Sequence, residues 1–420
     1  MEDIQKQFDA LYRSNFGRLV AILTSIFGFD NLETAEDLVQ DAFIKALHSW
    51  NNKIPEHPEG WLLTVARNNA INEIKHKQRL KEKLSSGFIK DDAVLINQID
   101  NLFLASEIED SQLRMLFACC HPKLPVKSQI ILILKVIAGF KVNEIARGLM
   151  MTEFAVNKTL SRTKLLIKEE NINLSVPFIF QSKKRLNTVL NVLYLIYNEG
   201  YNASSGDLLI KKEVCAEAIR LVQLLVRHPL LANGKTFALL ALFLFNSSRF
   251  NARLDQNGNI VPLKGQDRKQ WNYELIKLGQ YYLKRSKNNF SKFHLEAAIA
   301  FEYAISKSFE DISWNRILSY YDTLLSMQYS PLLHLNKAIV KAEISGAEEA
   351  LNEIGMIKSI EELKNNYLFY TTLGTFYERL HQYNRALEYY SSARKLTVIP
   401  CEINFLSEKI KAITERSNCS

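Results

Sequence analysis

An all-α fold follows from three features of this 420-residue sequence. Apolar residues recur at spacings of three and four almost throughout, and the few prolines and glycines fall between the periodic stretches. No segment shows the apolar/polar alternation of a half-buried strand. The length exceeds what one hydrophobic core usually serves, so two or three domains are expected. No apolar run reaches membrane-spanning length, and Met1-Glu2-Asp3-Ile4-Gln5-Lys6 lacks the basic start and apolar centre of a secretion signal. The expectation is a cytoplasmic protein with no membrane partner.

Each element can be justified in turn. The first helix is expected from about Ile4 to Thr24, with Phe8, Leu11, Tyr12, Leu19, Val20 and Leu23 inward. The second is expected from about Asn31 to Trp50, burying Leu32, Ala35, Leu38, Val39, Ala42, Phe43 and Ala46 and exposing the acidic set Glu33, Glu36, Asp37, Gln40 and Asp41. After the loop from Asn51, Pro58 is placed to open the third helix, because a first-turn proline gives up no needed hydrogen bond. On that helix Trp61, Leu62, Val65, Ala66, Asn69, Ala70 and Ile74 share one face. Thr64, Arg67, Asn68, Asn72, Lys75 and Arg79 share the other. An acidic helix thus precedes a basic, Asn-rich one, the surfaces of a protein that grips another protein on one side and nucleic acid on the other.

Residues from about 84 to 110 carry Ser85-Ser86-Gly87 and the acids Asp91, Asp92, Asp100, Glu107, Glu109 and Asp110, and read as a partly helical linker. A second small helical unit follows to about Glu170. In it, a short helix at Val142–Leu149, a tight turn at Leu149-Met150-Met151 and Thr152 as N-cap of a helix starting at Glu153 spell a helix-turn-helix. The second helix turns Val156, Leu160 and Ile167 inward and exposes Asn157, Lys158, Ser161, Arg162, Lys164 and Lys168. From about Asn171 a larger helical domain begins. Its clearest unit, Leu373-Gly374, Tyr377, Ala386, Tyr390, Ala393 and Pro400, has the spacing of a tetratricopeptide (TPR) repeat, with less regular pairs near Ala297–Leu325 and Leu335–Ile354.

Charge and cysteines narrow the classes. The net charge of +8 suits a polyanion partner without saying where the charge sits. Five cysteines with no Cys-x-x-Cys pair form neither a disulfide framework nor a zinc site. Cys119-Cys120-His121 reads as packing, and Tyr197-Asn198-Glu199-Gly200-Tyr201 as a helix-ending glycine among aromatics. No glycine loop, metal cluster or triad pattern is present, so neither an enzyme nor a bound cofactor is expected.

These residues together resemble the extracytoplasmic-function (ECF) bacterial RNA polymerase sigma factors. Residues 1–83 resemble sigma region 2, joined by a linker at 84–110 to a region 4 helix-turn-helix at 111–170. The resemblance extends to the subgroup with a long carboxy-terminal helical extension, here 171–420. It rests on Phe117-Ala118-Cys119-Cys120-His121-Pro122, the Tyr197–Tyr201 segment, Cys215-Ala216-Glu217-Ala218-Ile219-Arg220-Leu221 and Gln266-Asp267-Arg268. It implies that Asp37, Leu38, Gln40, Asp41 and Ile44 dock on a coiled coil of core RNA polymerase. It further implies that Arg67, Asn68, Asn72, Lys75 and Arg79 hold the opened minus-ten element, and that Asn157, Lys158, Ser161, Arg162 and Lys164 read the minus-thirty-five element. The extension would control activity and could take a protein or peptide partner. The alternative is a helix-turn-helix regulator with a TPR-type sensor that does not act as a sigma subunit.

Overall fold

The computed structural model describes residues 2–50, 54–84, 99–149, 151–172, 178–201 and 211–417. All secondary structure among them is helical apart from an isolated bridge between Leu254 and Ile260. The chain divides into two compact units, Met1–Leu195 and Ile196–Ser420. Among the described residues, no helix is long and apolar enough to cross a membrane.

Unit 1 is built around α1 (Glu2–Phe27), which packs on α2 (Leu32–Ser49), α3 (Pro58–Leu84) and α4 (Ala105–Cys119). Its inner face carries Phe16, Leu19, Val20, Ile22 and Leu23, all essentially without solvent contact. Pro58 does open α3. The acidic stretch before residue 110 is helical in part, since α4 begins inside it and continues to Cys119; Asp91 and Asp92 lie outside the described residues.

After α4 come α5 (Val126–Leu132), a π-turn at Ile133–Ile137, α6 (Val142–Gly148) and α7 (Glu153–Glu169). The π-turn is marked by the Ala138 amide donating to the Ile133 carbonyl at 3.0 Å, one residue beyond α-helical spacing. It packs on α1 with no room to spare. A Cβ at Gly17 would fall 1.7 Å from the Ile137 carbonyl oxygen, so only glycine lets the two backbones meet there. Thr152 caps α7 as the sequence indicates, its Oγ accepting from the Ala155 amide at 3.1 Å. Met150, in the preceding turn, lies outside the described residues.

The helix α8 (Phe178–Tyr201) supplies its last residues, from Ile196, to unit 2. There follow α9 (Lys212–Arg227), α10 (Gly234–Ser247), α11 (Tyr273–Arg285), α12 (Lys292–Ile305), α13 (Trp314–Met327), α14 (Pro331–Ser345), α15 (Ala347–Gly355), α16 (Tyr367–Arg379), α17 (Tyr383–Leu396) and α18 (Pro400–Ser417). Chain neighbours pack on one another from α10 onward, and α10 is the most apolar and most enclosed of them. In the α16–α17 hairpin, Gly374 lies under the Tyr390 ring, whose atoms a Cβ would meet at 2.8 Å. Ala386, Tyr390 and Ala393 are sealed from solvent, and the Tyr390 hydroxyl donates to Glu378 at 2.8 Å.

The motifs dispersed through unit 2 act as internal joints. Tyr197 stacks flat on Phe243 at 3.9 Å and its hydroxyl donates to the Phe243 carbonyl at 2.9 Å. Gly200 stands in the last turn of α8, which ends at Tyr201. Its missing side chain there admits Cys215 of α9, whose Sγ would be 2.8 Å from a Cβ. Arg268 lies over the Trp271 ring at 4.0 Å and donates to the Tyr303 carbonyl at 2.7 Å. Glu217 and Arg220 form a two-pronged pair at 2.7 and 2.8 Å.

Candidate functional site

The acidic helix α2 presents Asp37, Gln40, Ile44 and Leu47 at spacings of three and four, so they form one stripe. Ile44 and Leu47 are 52% and 54% exposed, apolar positions on an outward face. The sequence reading named Ile44 and missed Leu47, although its place one turn beyond Ile44 was the available signal. Leu38 is half-buried rather than buried. Asp41 is half-buried and pairs with Lys45 at 2.7 Å. Glu36, expected outside, is 4% exposed, because the far flank of α2 is covered within unit 1.

Asn69 joins α2 to α3. Its amide donates to the Leu38 carbonyl at 3.1 Å and to Asp41 at 3.0 Å, and its oxygen accepts from Lys45 at 2.8 Å. Sequence reasoning saw only an inward asparagine. A buried amide with three partners fixes the register between the two helices. Its neighbours Asn68, Asn72 and Arg79 are exposed on the outer face of α3, with Lys75 half-buried beside them. Arg67 is tied to Asp100, which follows the undescribed stretch. The bond from Arg67 holds the Asp100 carboxyl below its usual range, and raises Arg67 in turn.

On α7, Asn157, Lys158, Ser161, Arg162 and Lys168 are exposed, and Val156, Leu160, Thr163 and Ile167 face the core. Phe154, 74% exposed, carries Lys158 near its ring at 5.9 Å. Lys164 is placed differently from the rest of the set. Its ammonium lies 2.8 Å from Glu36 and 3.6 Å from Glu33, both on α2.

Cys119 and Cys120 are fully enclosed, and burial pushes both thiols well above their usual range, which suits packing and not metal ligation. Among the described residues, no three His, Cys, Asp or Glu side chains stand where they could hold a metal ion.

The family described as Sigma-70 region 2 matches residues 11–80, which cover α2 and most of α1 and α3 and so include every residue of the α2 and α3 sets. A family of unknown function (DUF6596) matches residues 185–287. The uncharacterized protein R00370 of Rhizobium meliloti (strain 1021) is 30% identical over 403 residues, which is 92% of this chain and 93% of that protein. The ECF RNA polymerase sigma factor SigX of Bacillus subtilis (strain 168) is 24% identical over 134 residues, 30% of this chain and 65% of SigX. No solved structure matches the chain. Fold and comparisons define an all-α protein with a sigma-70 region 2 domain. Over nearly its whole length the chain belongs to one family with the Rhizobium protein, and its residues 11–80 match the sigma-70 region 2 family.

Proposed function

We propose that this chain is a promoter-specificity subunit of the ECF type that joins core RNA polymerase and directs initiation from minus-thirty-five and minus-ten elements. The observation that carries this reading is the sigma-70 region 2 match over residues 11–80. It spans the acidic, apolar-tipped stripe of α2 and the Asn- and Arg-bearing face of α3. In the proposal, Asp37, Gln40 and Ile44 contact the polymerase, with Leu38 and Asp41 supporting them, and charge complementarity speeds encounter and sets register. Asn68, Asn72, Lys75, Arg79 and Arg67 capture the opened strand. Melting costs a few kcal/mol per step, so it is sustained only by binding what it exposes.

The α6–α7 pair is the reader of the minus-thirty-five element. Asn157 and Arg162 suit adenine and guanine edges, while Lys158, Ser161 and Lys164 reach toward backbone. Unit 2 is the control module, a TPR-like stack offering a surface for a peptide or protein. The test is transcription with purified core polymerase on a library of fragments randomised at both promoter elements. Defined start sites support the proposal. Tight duplex binding without polymerase-dependent initiation would favour a helix-turn-helix regulator instead. A chain ending at Leu195, the limit of unit 1, tests the extension. Initiation differing several-fold from the intact chain is expected, and equal initiation removes the control role. A cut near Glu170 is less informative, because it strips Leu186, Val189, Leu190 and Leu193, which are buried in the intact chain.

A further inference from the structure

We infer that unit 2 carries a binding site for a small tetrahedral oxyanion, either phosphate itself or the phosphoryl group of a small molecule, where Arg249 and Arg268 close on the Trp271 indole. All three residues lie in the stretch 185–287 matched by the family of unknown function. None of them belongs to the surfaces proposed above for polymerase or promoter.

Two short turns bring them together. Arg249 follows the end of α10 and precedes a 3-10 turn at Phe250–Ala252. Gln266-Asp267-Arg268 leads into a second such turn at Arg268–Gln270, where the Asp267 carboxylate accepts from the Lys269 amide at 2.9 Å. The Asn272 amide then donates to the Ser248 carbonyl at 2.8 Å, which sets Trp271 beside Arg249. The buried Gln266 holds the loop between the turns by donating to the Val261 carbonyl at 2.9 Å. As a result the Arg268 guanidinium lies 4.0 Å from the Trp271 ring centre, and that of Arg249 lies 5.4 Å from it.

The polar groups of this cluster are left incomplete. Arg268 satisfies one nitrogen on the Tyr303 carbonyl, but its Nη2, the Arg249 Nε and the Trp271 Nε1 are sealed from solvent with no hydrogen-bond partner among the described residues. Trp271 is only 4% exposed. Among the described residues no carboxylate pairs with either guanidinium, and burial together with the Arg249 charge lowers Arg268 from its usual range. Two like charges and three unpaired donors in one place are costly unless something answers them. A water molecule accepts at two positions and brings no charge. A planar carboxylate suits the fork of a single guanidinium, whereas a tetrahedral oxyanion presents oxygens to donors on three separate side chains and neutralises both cations. Both arginines are half-buried, so the cluster is reached from solvent.

The test is calorimetric titration of the intact chain, without polymerase or DNA, using inorganic phosphate, phenyl phosphate and acetate at constant ionic strength. Saturable binding of one or both phosphates is expected, about tenfold or more tighter than acetate; the tighter of the two distinguishes the free ion from a phosphorylated molecule. Arg249→Gln is the deciding variant, because the Arg249 guanidinium has no hydrogen bond among the described residues to lose. It should weaken phosphate binding by about tenfold or more, and leave the phosphate-free chain as stable as the parent or more so, since a like charge beside Arg268 is gone. Absence of saturable binding, or acetate binding as tight as phosphate, would overturn the site. Equal phosphate binding by Arg249→Gln would also overturn it, as the mark of an adventitious ion only. A variant destabilised equally with and without phosphate would show that Arg249 serves packing alone. Polymerase is absent from the assay, so failure here leaves the sigma reading standing.

Discussion

The ammonium of Lys164 lies 2.8 Å from the carboxylate of Glu36, joining the helix proposed to read promoter DNA to the helix proposed to dock on polymerase. Replacing the acids by amides (Glu33→Gln with Glu36→Gln) releases that lysine. Affinity for duplex DNA is expected to rise about three- to tenfold at low salt, and the slope of log affinity against log salt to steepen by about one. Fluorescence anisotropy across a salt series checks this. An unchanged slope would show that Lys164 never meets phosphate.

Arg162 differs from Lys164 in being exposed and suited to a base edge. Arg162→Ala should cost roughly 1 to 3 kcal/mol of discrimination at one promoter position. Selection from a randomised minus-thirty-five library reads this directly. A uniform loss on all sequences would demote it to a phosphate contact.

Two glycines in the same unit should respond in opposite ways. At Gly17 a methyl would collide with the Ile137 carbonyl, so Gly17→Ala is expected to destabilise by about 3 kcal/mol or to force the backbones apart. At Gly60, on the first turn of α3, nothing lies within 4 Å, so Gly60→Ala should be neutral or stabilise by about 0.5 to 1 kcal/mol. Denaturant titration of both variants beside the parent chain decides between them.

In unit 2 the buried Glu353 bonds Lys337 at 2.8 Å, His334 at 2.9 Å and Lys341 at 3.0 Å. Burial alone would raise this carboxyl, but the bonds from Lys337, Lys341 and His334 prevail and hold it at about 2. A depressed carboxyl contributes stability that is present above its unfolded value and lost as pH falls. The loss should therefore run from about pH 4.5 down to about 2 and amount to something on the order of 3 kcal/mol. Glu353→Gln should flatten that limb of a stability-against-pH curve and lower stability at neutral pH. A curve of unchanged shape would show that another group sets the acid limit.

Local chemistry was readable wherever a neighbour in sequence supplies the partner. Pro58 opening α3, Thr152 capping α7 and the inward Val156, Leu160 and Ile167 follow from first-turn geometry and helical spacing. Gly374 and Tyr390 belong to adjacent helices at hairpin distance, so their packing too leaves a trace in the spacing. The misreadings all involve partners far along the chain. Glu36 was placed outside because its helix offers no sign that α7 covers it. Asp100 was read only as a charge of the linker, with no sign that Arg67, 33 positions earlier, is its partner.

The sequence by itself determined the helices, their amphipathic faces and the chemical character of the acidic and the basic surfaces, because these depend on residues three or four apart on one rigid element. Only the tertiary structure decided which of those surface charges face water. Whether Lys164 is open to DNA or neutralised depends on Glu36, more than a hundred positions away in the chain, being brought within hydrogen-bond reach.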